Sequence, residues 1–223
     1  MTTTTKLHRL DRRALLLTGV TGAAAALTLG ACSSDLIGPP DIAPPFFMLR
    51  PPPRTTSGGV GRPVPWQISV ALPDAPDSLD TTRIVLVQPS GTMDFYANAQ
   101  WPDRLSVLVQ SALIDALEGT GRLPAVGRDT DSLKSDYLLD TDIRDFQARY
   151  DQQDGIPTAV VRIEARLISL HGRAIVASLN AHSDVTASAN KVPAVVQALN
   201  AALGDTLNQI ADWVVTAPGT KGS

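Results

Sequence analysis

The stretch that decides the fold is TAVVRIEARLISLHGRAIVASLNAHSDV, which runs from Thr158 to Val185. Apolar and polar side chains alternate on both sides of His171-Gly172, a pattern typical of two antiparallel strands joined by a tight turn. The alternating apolar positions are Val161, Ile163, Ala165 and Leu167 in the first strand and Ile175, Ala177, Leu179 and Ala181 in the second. The stretch therefore predicts a β-hairpin that packs one face on a core.

A long amphipathic helix is predicted after the hairpin. Pro193 suits the first turn of a helix, because the N–H group that proline lacks has no partner there in any case. Steps of three and four residues then place apolar side chains on one helical face. That stripe consists of Val196, Leu199, Leu203, Leu207, Ile210 and Val214. We expect the helix to end near Pro218 and to pack on the sheet.

Residues 135–150 are predicted to form a further strand with an exposed acidic face. Its apolar face consists of Tyr137, Leu139, Thr141 and Ile143, and the acids of the other face are Asp136, Asp140 and Asp142. Phe146 breaks the alternation, and a single break within a strand is typical of a β-bulge.

The preceding part of the chain predicts three short strands and one helix. The strands are expected at 67–72, 83–88 and 95–101, the last with Phe95, Ala97, Ala99 and Trp101 on one face. Pro102 and Asp103 suit the start of a helix, and Gly119 and Gly121 suit its end. All these elements together predict an α+β fold, a two-layer sandwich in which two main helices pack on a largely antiparallel sheet.

Residues 1–31 resemble a bacterial signal peptide. Basic residues precede an uncharged stretch from Ala14 to Ala31, which is too mildly apolar to favour a membrane-spanning helix. Leu29-Gly30-Ala31-Cys32 matches the lipobox, in which a peptidase cuts before a cysteine that becomes acylated. Cys32 is the only cysteine of the chain. We therefore expect Cys32 to be the mature N-terminus and its acyl chains to anchor the protein in a membrane.

Two routes of export fit the basic part of the leader. Arg12 and Arg13 stand directly before the apolar stretch, as in the twin-arginine signal. Asp11 precedes the pair where Ser or Thr is usual, so an ordinary positively charged leader fits equally well. Because the leader is basic, its removal would make the mature chain more acidic than the net charge of −3 over all 223 residues.

A proline-rich tether is predicted between the anchor and the domain. Nine prolines occur in the 27 residues from Pro39 to Pro65, a composition typical of extended chain. The apolar run Phe46-Phe47-Met48-Leu49 is the exception and predicts an edge strand. The resulting division is a leader at 1–31, a tether at 32–65 with an edge strand at 46–50, a domain at 66–217 and a tail at 218–223.

Composition and motifs exclude several classes of function. A slightly acidic chain offers no broad cationic field to nucleic acid. One cysteine excludes a disulfide framework, and three histidines leave few ligands for zinc. The sequence contains no G-x-S-x-G, H-E-x-x-H, P-loop or Rossmann glycine motif, so we expect no cofactor.

Three sets of residues could carry chemistry, and each has a simpler interpretation. His171 and His182 could form a metal pair or supply a base near Ser178 or Ser183, although isolated surface histidines are commoner. Four aspartates could bind a divalent cation, but alternation spreads them along an exposed strand face. These are Asp136, Asp140, Asp142 and Asp145. Aromatic side chains beside the first helix could line a lipid-sized pocket, but core packing is the usual role of such residues. These are Phe95, Tyr96 and Trp101.

Several short motifs occur in an order that resembles a known family. They are the lipobox at Cys32, an early strand from Phe46 to Pro51, Leu79-Asp80-x-x-Arg83, Tyr96-x-x-x-x-Trp101 and the strand from Asp136 to Phe146. In that order they resemble the ABC-type transport auxiliary lipoproteins, over about residues 46–217. The resemblance implies a non-enzymatic partner of a periplasmic MCE protein and its inner-membrane permease and ATPase, which together move phospholipids between the two membranes of a Gram-negative envelope.

The resemblance also implies roles and a location. Asp80 and Arg83 are interpreted as a structural pair, and the further structural signature residues are Leu79, Tyr96 and Trp101. Ser33 stands where an aspartate commonly retains lipoproteins in the inner membrane, so the periplasmic face of the outer membrane is favoured. Rings of MCE proteins would favour a matching homo-oligomer. The alternative function is a lipid-tethered periplasmic hydrolase or metal-binding enzyme, which the scarcity of His and Cys disfavours.

Overall fold

Seven strands and two helices make up the described part of the chain, residues 44–53 and 61–217 of a computed structural model. The strands are β1 (Ile68–Val70), β2 (Arg83–Val87), β3 (Met93–Gln100), β4 (Val126–Arg128), β5 (Tyr137–Arg149), β6 (Thr158–Ser169) and β7 (Ala174–Thr186), and the helices are α1 (Leu105–Glu118) and α2 (Val192–Val214). The predicted leader with Arg12 and Arg13, the acylation site Cys32 and the tail lie outside the described residues and stay predictions.

Strand β5 is the centre of the sheet. Along one edge β6 pairs with it antiparallel over its whole length, and β7 pairs antiparallel with β6. Two short parallel neighbours share the other edge, since β1 pairs around Leu138 and β2 pairs around Ala148. β4 extends the sheet beyond β1 in parallel, and β3 extends it beyond β2 antiparallel. The α+β prediction is confirmed, and the long pairings are antiparallel as expected, but the short strands make the sheet mixed.

The predicted hairpin is present, with two differences at its tip. Ser169 pairs with Ala174, so the turn contains four residues instead of the two expected at His171-Gly172. The register shifts after Leu167, which places Ile175 opposite Ile168 on the solvent face. Ile175 is consequently 59% exposed, and its expected place in the core was wrong.

The bulge predicted in β5 is confirmed. The register with β6 shifts between Ile143 and Asp145. Before the shift Leu139 and Ile143 are buried, and after it Phe146 and Ala148 are buried. The extra residue therefore keeps the apolar side chains on the core face although the alternation in the sequence changes phase.

The apolar face predicted for β3 is interrupted. Val85 pairs with Phe95, but Arg83 pairs with Gln100, so several residues of β3 bulge out between these pairs. Asn98 lies in this bulge with a φ of 54°, a left-handed conformation that asparagine tolerates better than most residues. Ala97 is exposed as a result, although its position in the alternation predicted burial.

The two helices lie against the sheet and against each other. All six residues of the predicted α2 stripe are buried, and α2 packs on β6 and β7. α1 packs on β1 and β4 and begins at Leu105, three residues later than Pro102 suggested. Within the described residues no helix is both long enough and apolar enough to cross a membrane.

Candidate functional site

Asp80 holds the N-terminus of α1 from a distant loop. Its Oδ1 accepts the backbone N–H of Ser106 at 3.0 Å, and its Oδ2 pairs with the guanidinium of Arg104. Burial opposes ionisation of this side chain, yet the hydrogen bonds from Ser106 and Arg104 hold the pKa of Asp80 below its ordinary value of 3.8. Asp80 therefore does for α1 what an N-cap side chain does, since Arg104 at the N-cap position makes no side-chain cap.

The predicted pairing of Asp80 with Arg83 was wrong. The guanidinium of Arg83 lies over the ring of Phe95, 3.4 Å from the ring centre, in a cation–π contact. Leu79, which precedes Asp80, is buried in the core. Sequence proximity suggested the pair, but Arg83 opens β2 and its cross-strand neighbours decide what its side chain meets.

The two aromatic signature residues are fixed inside the fold. The hydroxyl of Tyr150 donates to Asn190 Oδ1 at 2.7 Å and lies 2.9 Å from the hydroxyl of Tyr96. Because Tyr150 has already given its proton to Asn190, Tyr96 is the donor of the second bond. Trp101 is 1% exposed and meets Phe146 edge to face, with ring centres 6.2 Å apart. These contacts assign both residues to the core and not to an open pocket.

The described part of the predicted tether contacts the domain. The edge strand expected at 46–50 reduces to one parallel bridge between Phe46 and Gln100. Residues 48–53, which we call the strap, then run along α2. Asn200 of α2 donates to the carbonyl of Met48 at 3.3 Å and accepts the N–H of Arg50 at 2.6 Å. The side-chain amide of Asn200 thus bonds both a C=O and an N–H group of the strap, as a neighbouring strand would.

Gly204 lets the strap lie close to α2. A Cβ added at Gly204 would stand 3.0 Å from Pro52 Cδ and 3.5 Å from Pro51 Cβ. The absence of a side chain at this helical position is therefore what allows the two prolines to pack on the helix.

A half-open cavity of about 550 Å³ lies between the strap and the two helices. Its wall consists of Leu49, Arg50, Pro51, Pro52, Pro53, Leu108, Ser111, Ala112, Asp115, Ala116, Gly119, Gly204, Leu207 and Asn208. Most of these residues are apolar or small, and Arg50 and Asp115 are the two charged members. The volume falls in the range of ligand and peptide sites. Chemically, the cavity can hold an apolar segment that presents a charged group at its rim.

The open face of the sheet carries paired charges and not a bare acidic face. Asp140 meets Arg166 at 2.9 Å, and Arg144 joins Asp142 and Glu164 at 2.9 and 2.8 Å. The hydrogen bond from Arg144 lowers the pKa of Glu164. Arg166 of β6 stands opposite Asp140, and Arg144 lies at the bulge of β5, so the face carries both signs of charge and the interpretation of β5 as an exposed acidic face was wrong.

The histidines do not meet. His171 lies exposed in the hairpin turn, 3.9 Å from Asp136. His182 lies opposite Arg162, eight residues after Ala174, where β7 begins. The backbone of His182 is bonded to the side-chain amide of Gln209 in α2. Among the described residues no three His, Cys, Asp or Glu side chains are grouped to hold a metal ion.

The class of the protein follows from a comparison of its sequence with known families. The family model for the ABC-type transport auxiliary lipoprotein component matches residues 47–211, and the chain belongs to this family. The members of this family are described as lipoprotein components that assist ABC-type transport.

Similar proteins support the same placement. Protein XCC0632 from Xanthomonas campestris has a crystal structure with a TM-score of 0.69 and 26% identity, covering 78% of this chain and 97% of that one. A second crystal structure, of an uncharacterised protein, has a TM-score of 0.56 at 18% identity, covers 70% of this chain and 95% of its own, and shows the fold alone. The uncharacterised protein bll6063 of Bradyrhizobium diazoefficiens is 28% identical over 169 residues. These are 76% of this chain but 42% of that relative, so the chain spans about two fifths of its length.

Proposed function

We propose that the protein is a non-enzymatic, lipid-anchored accessory of an MCE-type phospholipid transport system, which docks the periplasmic component at the outer membrane. The observation that carries this proposal is the family match over residues 47–211. The lipobox at Cys32 supports the anchor, and Ser33 in place of aspartate supports the outer membrane over the inner one. Anchoring raises the effective concentration of a docking surface, so a weak contact with the partner suffices.

The anchor is tested at Cys32. We expect mass spectrometry of the mature N-terminal peptide to show a cysteine with acyl chains. Cys32→Ala should leave the protein uncleaved and should remove the mature form from the detergent phase. A mature N-terminus at another residue, or an unchanged partition of the variant, would contradict this part of the proposal.

The partner is tested by crosslinking and co-purification from solubilised envelopes. We expect the chain to recover the MCE protein encoded beside it. We place the docking surface at the cavity, so Ala116→Arg, which puts bulk and charge into the cavity wall, should reduce recovery about tenfold or more. Ala97→Arg, at an exposed position outside the cavity wall, is the matched control. Equal recovery with both variants would remove the cavity from the proposal, and no recovery with the unmodified chain would contradict docking.

The absence of turnover is tested at the histidines. A His171→Ala, His182→Ala double variant should restore resistance to detergent in a deletion strain as well as the unmodified chain does. A loss of rescue by a variant that folds and reaches the membrane would favour an enzyme.

A homo-oligomer that matches an MCE ring belongs to the same proposal. Closed symmetry multiplies a small interface, and this compensates for weak contacts between single copies. Native mass spectrometry of the purified acylated protein should show one closed assembly. A monomer at every concentration would contradict it.

A further inference from the structure

One end of the open sheet face carries apolar side chains where the rest of that face carries charged pairs. Register places Leu138, Ile168 and Ile175 side by side across β5, β6 and β7. Leu170, in the turn beyond them, is 41% exposed, and Ile175 is 59% exposed. These four residues are called the tip patch. The next row of the face consists of Asp140, Arg166 and Ser178. On this face the tip patch therefore gives way to charged and polar side chains within one row.

Cations flank the tip patch. Arg173 lies exposed in the hairpin turn, and Lys134 lies exposed in the loop that leads into β5. This loop touches the turn, because the carbonyl of Asp136 accepts the N–H of Leu170 at 2.9 Å. The carboxylate of Asp136 is already engaged, since its Oδ2 accepts the N–H of Gln67 at 2.8 Å. Apolar side chains therefore lie beside two exposed cations that form no ion pair within residues 44–53 and 61–217.

We infer that the tip patch is a membrane-contact site, which lies in the head-group region of a bilayer that contains anionic lipid. Exposed aliphatic side chains partition into that region, and neighbouring Lys and Arg add attraction to anionic head groups. The eleven residues between Cys32 and Pro44 span at most about 40 Å when extended, so an acylated Cys32 keeps the domain within reach of the bilayer. This inference uses the proposed anchor and is independent of the MCE partner.

The test uses single cysteines labelled with a fluorophore. Cys32 is the only native cysteine, so in the acylated chain an introduced cysteine is the one free thiol, which the mass of the labelled protein verifies. Gly172→Cys places the label in the turn, where a Cβ meets nothing within 4 Å. Gln153→Cys places it at an exposed position before β6, at the opposite end of the hairpin. Both proteins are reconstituted into vesicles of phosphatidylethanolamine with phosphatidylglycerol, and into vesicles of phosphatidylcholine alone.

We expect nitroxide lipids to quench the label at Gly172→Cys, and aqueous iodide to quench it several-fold less than the label at Gln153→Cys. The effect should be stronger in the anionic vesicles and should weaken with added salt. Equal iodide quenching at both positions would overturn the inference. If protection of the label from iodide rises with protein concentration and does not need vesicles, the patch is a contact between copies of the chain, and this result would also overturn the inference.

Matched variants show whether membrane association depends on the tip patch itself or on exposed apolar surface anywhere on the domain. Leu170→Ser with Ile175→Ser should weaken the association of the tip about tenfold. Ile156→Ser is the control, because Ile156 is 56% exposed but precedes β6 at the other end of the hairpin. Arg173→Glu should abolish the preference for anionic vesicles. If Ile156→Ser has the same effect as the double variant, the tip patch is not the membrane-contact site. Recovery of the proposed MCE partner tests the proposed function separately.

Discussion

Asp80 is the residue on which the start of α1 depends. Its nearly buried carboxylate accepts the Ser106 N–H, and the N-cap residue Arg104 makes no side-chain cap of its own. Asp80→Ala should therefore lower the free energy of unfolding by about 1–2 kcal/mol. Arg104→Ala should lower it by less than about 1 kcal/mol, because the Arg104 side chain is mostly exposed to water. Urea unfolding followed by far-ultraviolet circular dichroism measures both values, and a larger loss at Arg104 would contradict the capping role.

The same carboxylate gives a dependence on pH with a definite sign. The folded state holds the pKa of Asp80 below 3.8, so folding favours the charged form. The stability it contributes is then present above pH 3.8 and is lost as the pH falls below that value. The difference in unfolding free energy between the native chain and Asp80→Asn should shrink below pH 3.8. A difference that stays constant between neutral and acidic pH would show that the charge of Asp80 does not stabilise the fold.

Tyr150 is the middle of a chain of hydrogen bonds from Tyr96 to Asn190, so its hydroxyl takes part in two bonds and the Tyr96 hydroxyl in one. Tyr150→Phe leaves both the Tyr96 hydroxyl and Asn190 Oδ1 without this partner, whereas Tyr96→Phe removes one bond from the end. We expect a loss of about 1–3 kcal/mol for the first variant and about 1 kcal/mol for the second. Thermal unfolding of both variants and of the double variant measures the coupling. Additive losses would contradict a connected chain.

At the scale of elements, the strap depends on one side chain of α2. Asn200→Ala removes both of its hydrogen bonds to residues 48–50 and leaves the core of the helix intact. We expect faster hydrogen exchange at Arg50 and little change in the unfolding free energy. Gln197→Ala, at an exposed position one turn earlier, is the control. Gly204→Leu should also release the strap, because its side chain occupies the place of Pro52. Unchanged exchange at Arg50 in both strap variants would show that other contacts hold the segment.

Sequence patterns predicted those elements whose burial follows a local period. α2 and β5 are long, so their stripes and even the bulge near Phe146 were visible as periodicity. β4, three residues long, was missed, because Val126–Arg128 is too short to show a pattern and is held by parallel pairing with β1. Ala97 is exposed because of the bulge in β3, and the one sign of this bulge in the sequence is Asn98, a residue type that tolerates the left-handed conformation.

The candidate site was predicted far less well than the fold. The cavity is bounded by residues 49–53, by α1 and by α2, which lie far apart in sequence and come together only through tertiary packing. The partner of Asp80 is Arg104 for the same reason. A signal for the strap did exist in the sequence: the apolar run at Phe46–Leu49 indicated a packed segment, and Gly204 interrupts an otherwise side-chain-bearing helix.

At the scale of the whole molecule, the proposed anchor at Cys32 makes the length of the segment before Pro44 decide which surfaces the domain can reach. Deletion of residues 35–41 leaves four residues between Cys32 and Pro44, a span of at most about 15 Å. We expect this deletion to reduce crosslinking to the proposed MCE partner in cells while co-purification from mixed detergent extracts stays unchanged. Replacement of the same residues by a Gly-Ser segment of equal length should restore crosslinking. A loss in detergent as well would mean that residues 35–41 themselves contact the partner.

Two strands, β1 and β2, pair with the same edge of β5, and this arrangement affects the order in which the sheet folds. β1 and β2 both pair with β5 residues that follow them by more than sixty positions. The β1 pairing waits until the chain has been made as far as Leu139, and the β2 pairing until it has reached Arg149. β6 follows β5 directly and pairs with it, β7 follows β6 and pairs with it, and α2 packs mainly on β6 and β7. Contacts between elements that are close in sequence form faster than distant ones. The C-terminal half is therefore the expected nucleus of folding, and pulsed hydrogen exchange should protect β5, β6 and β7 before β1. The N-terminal strands, although they leave the ribosome first, complete the sheet last.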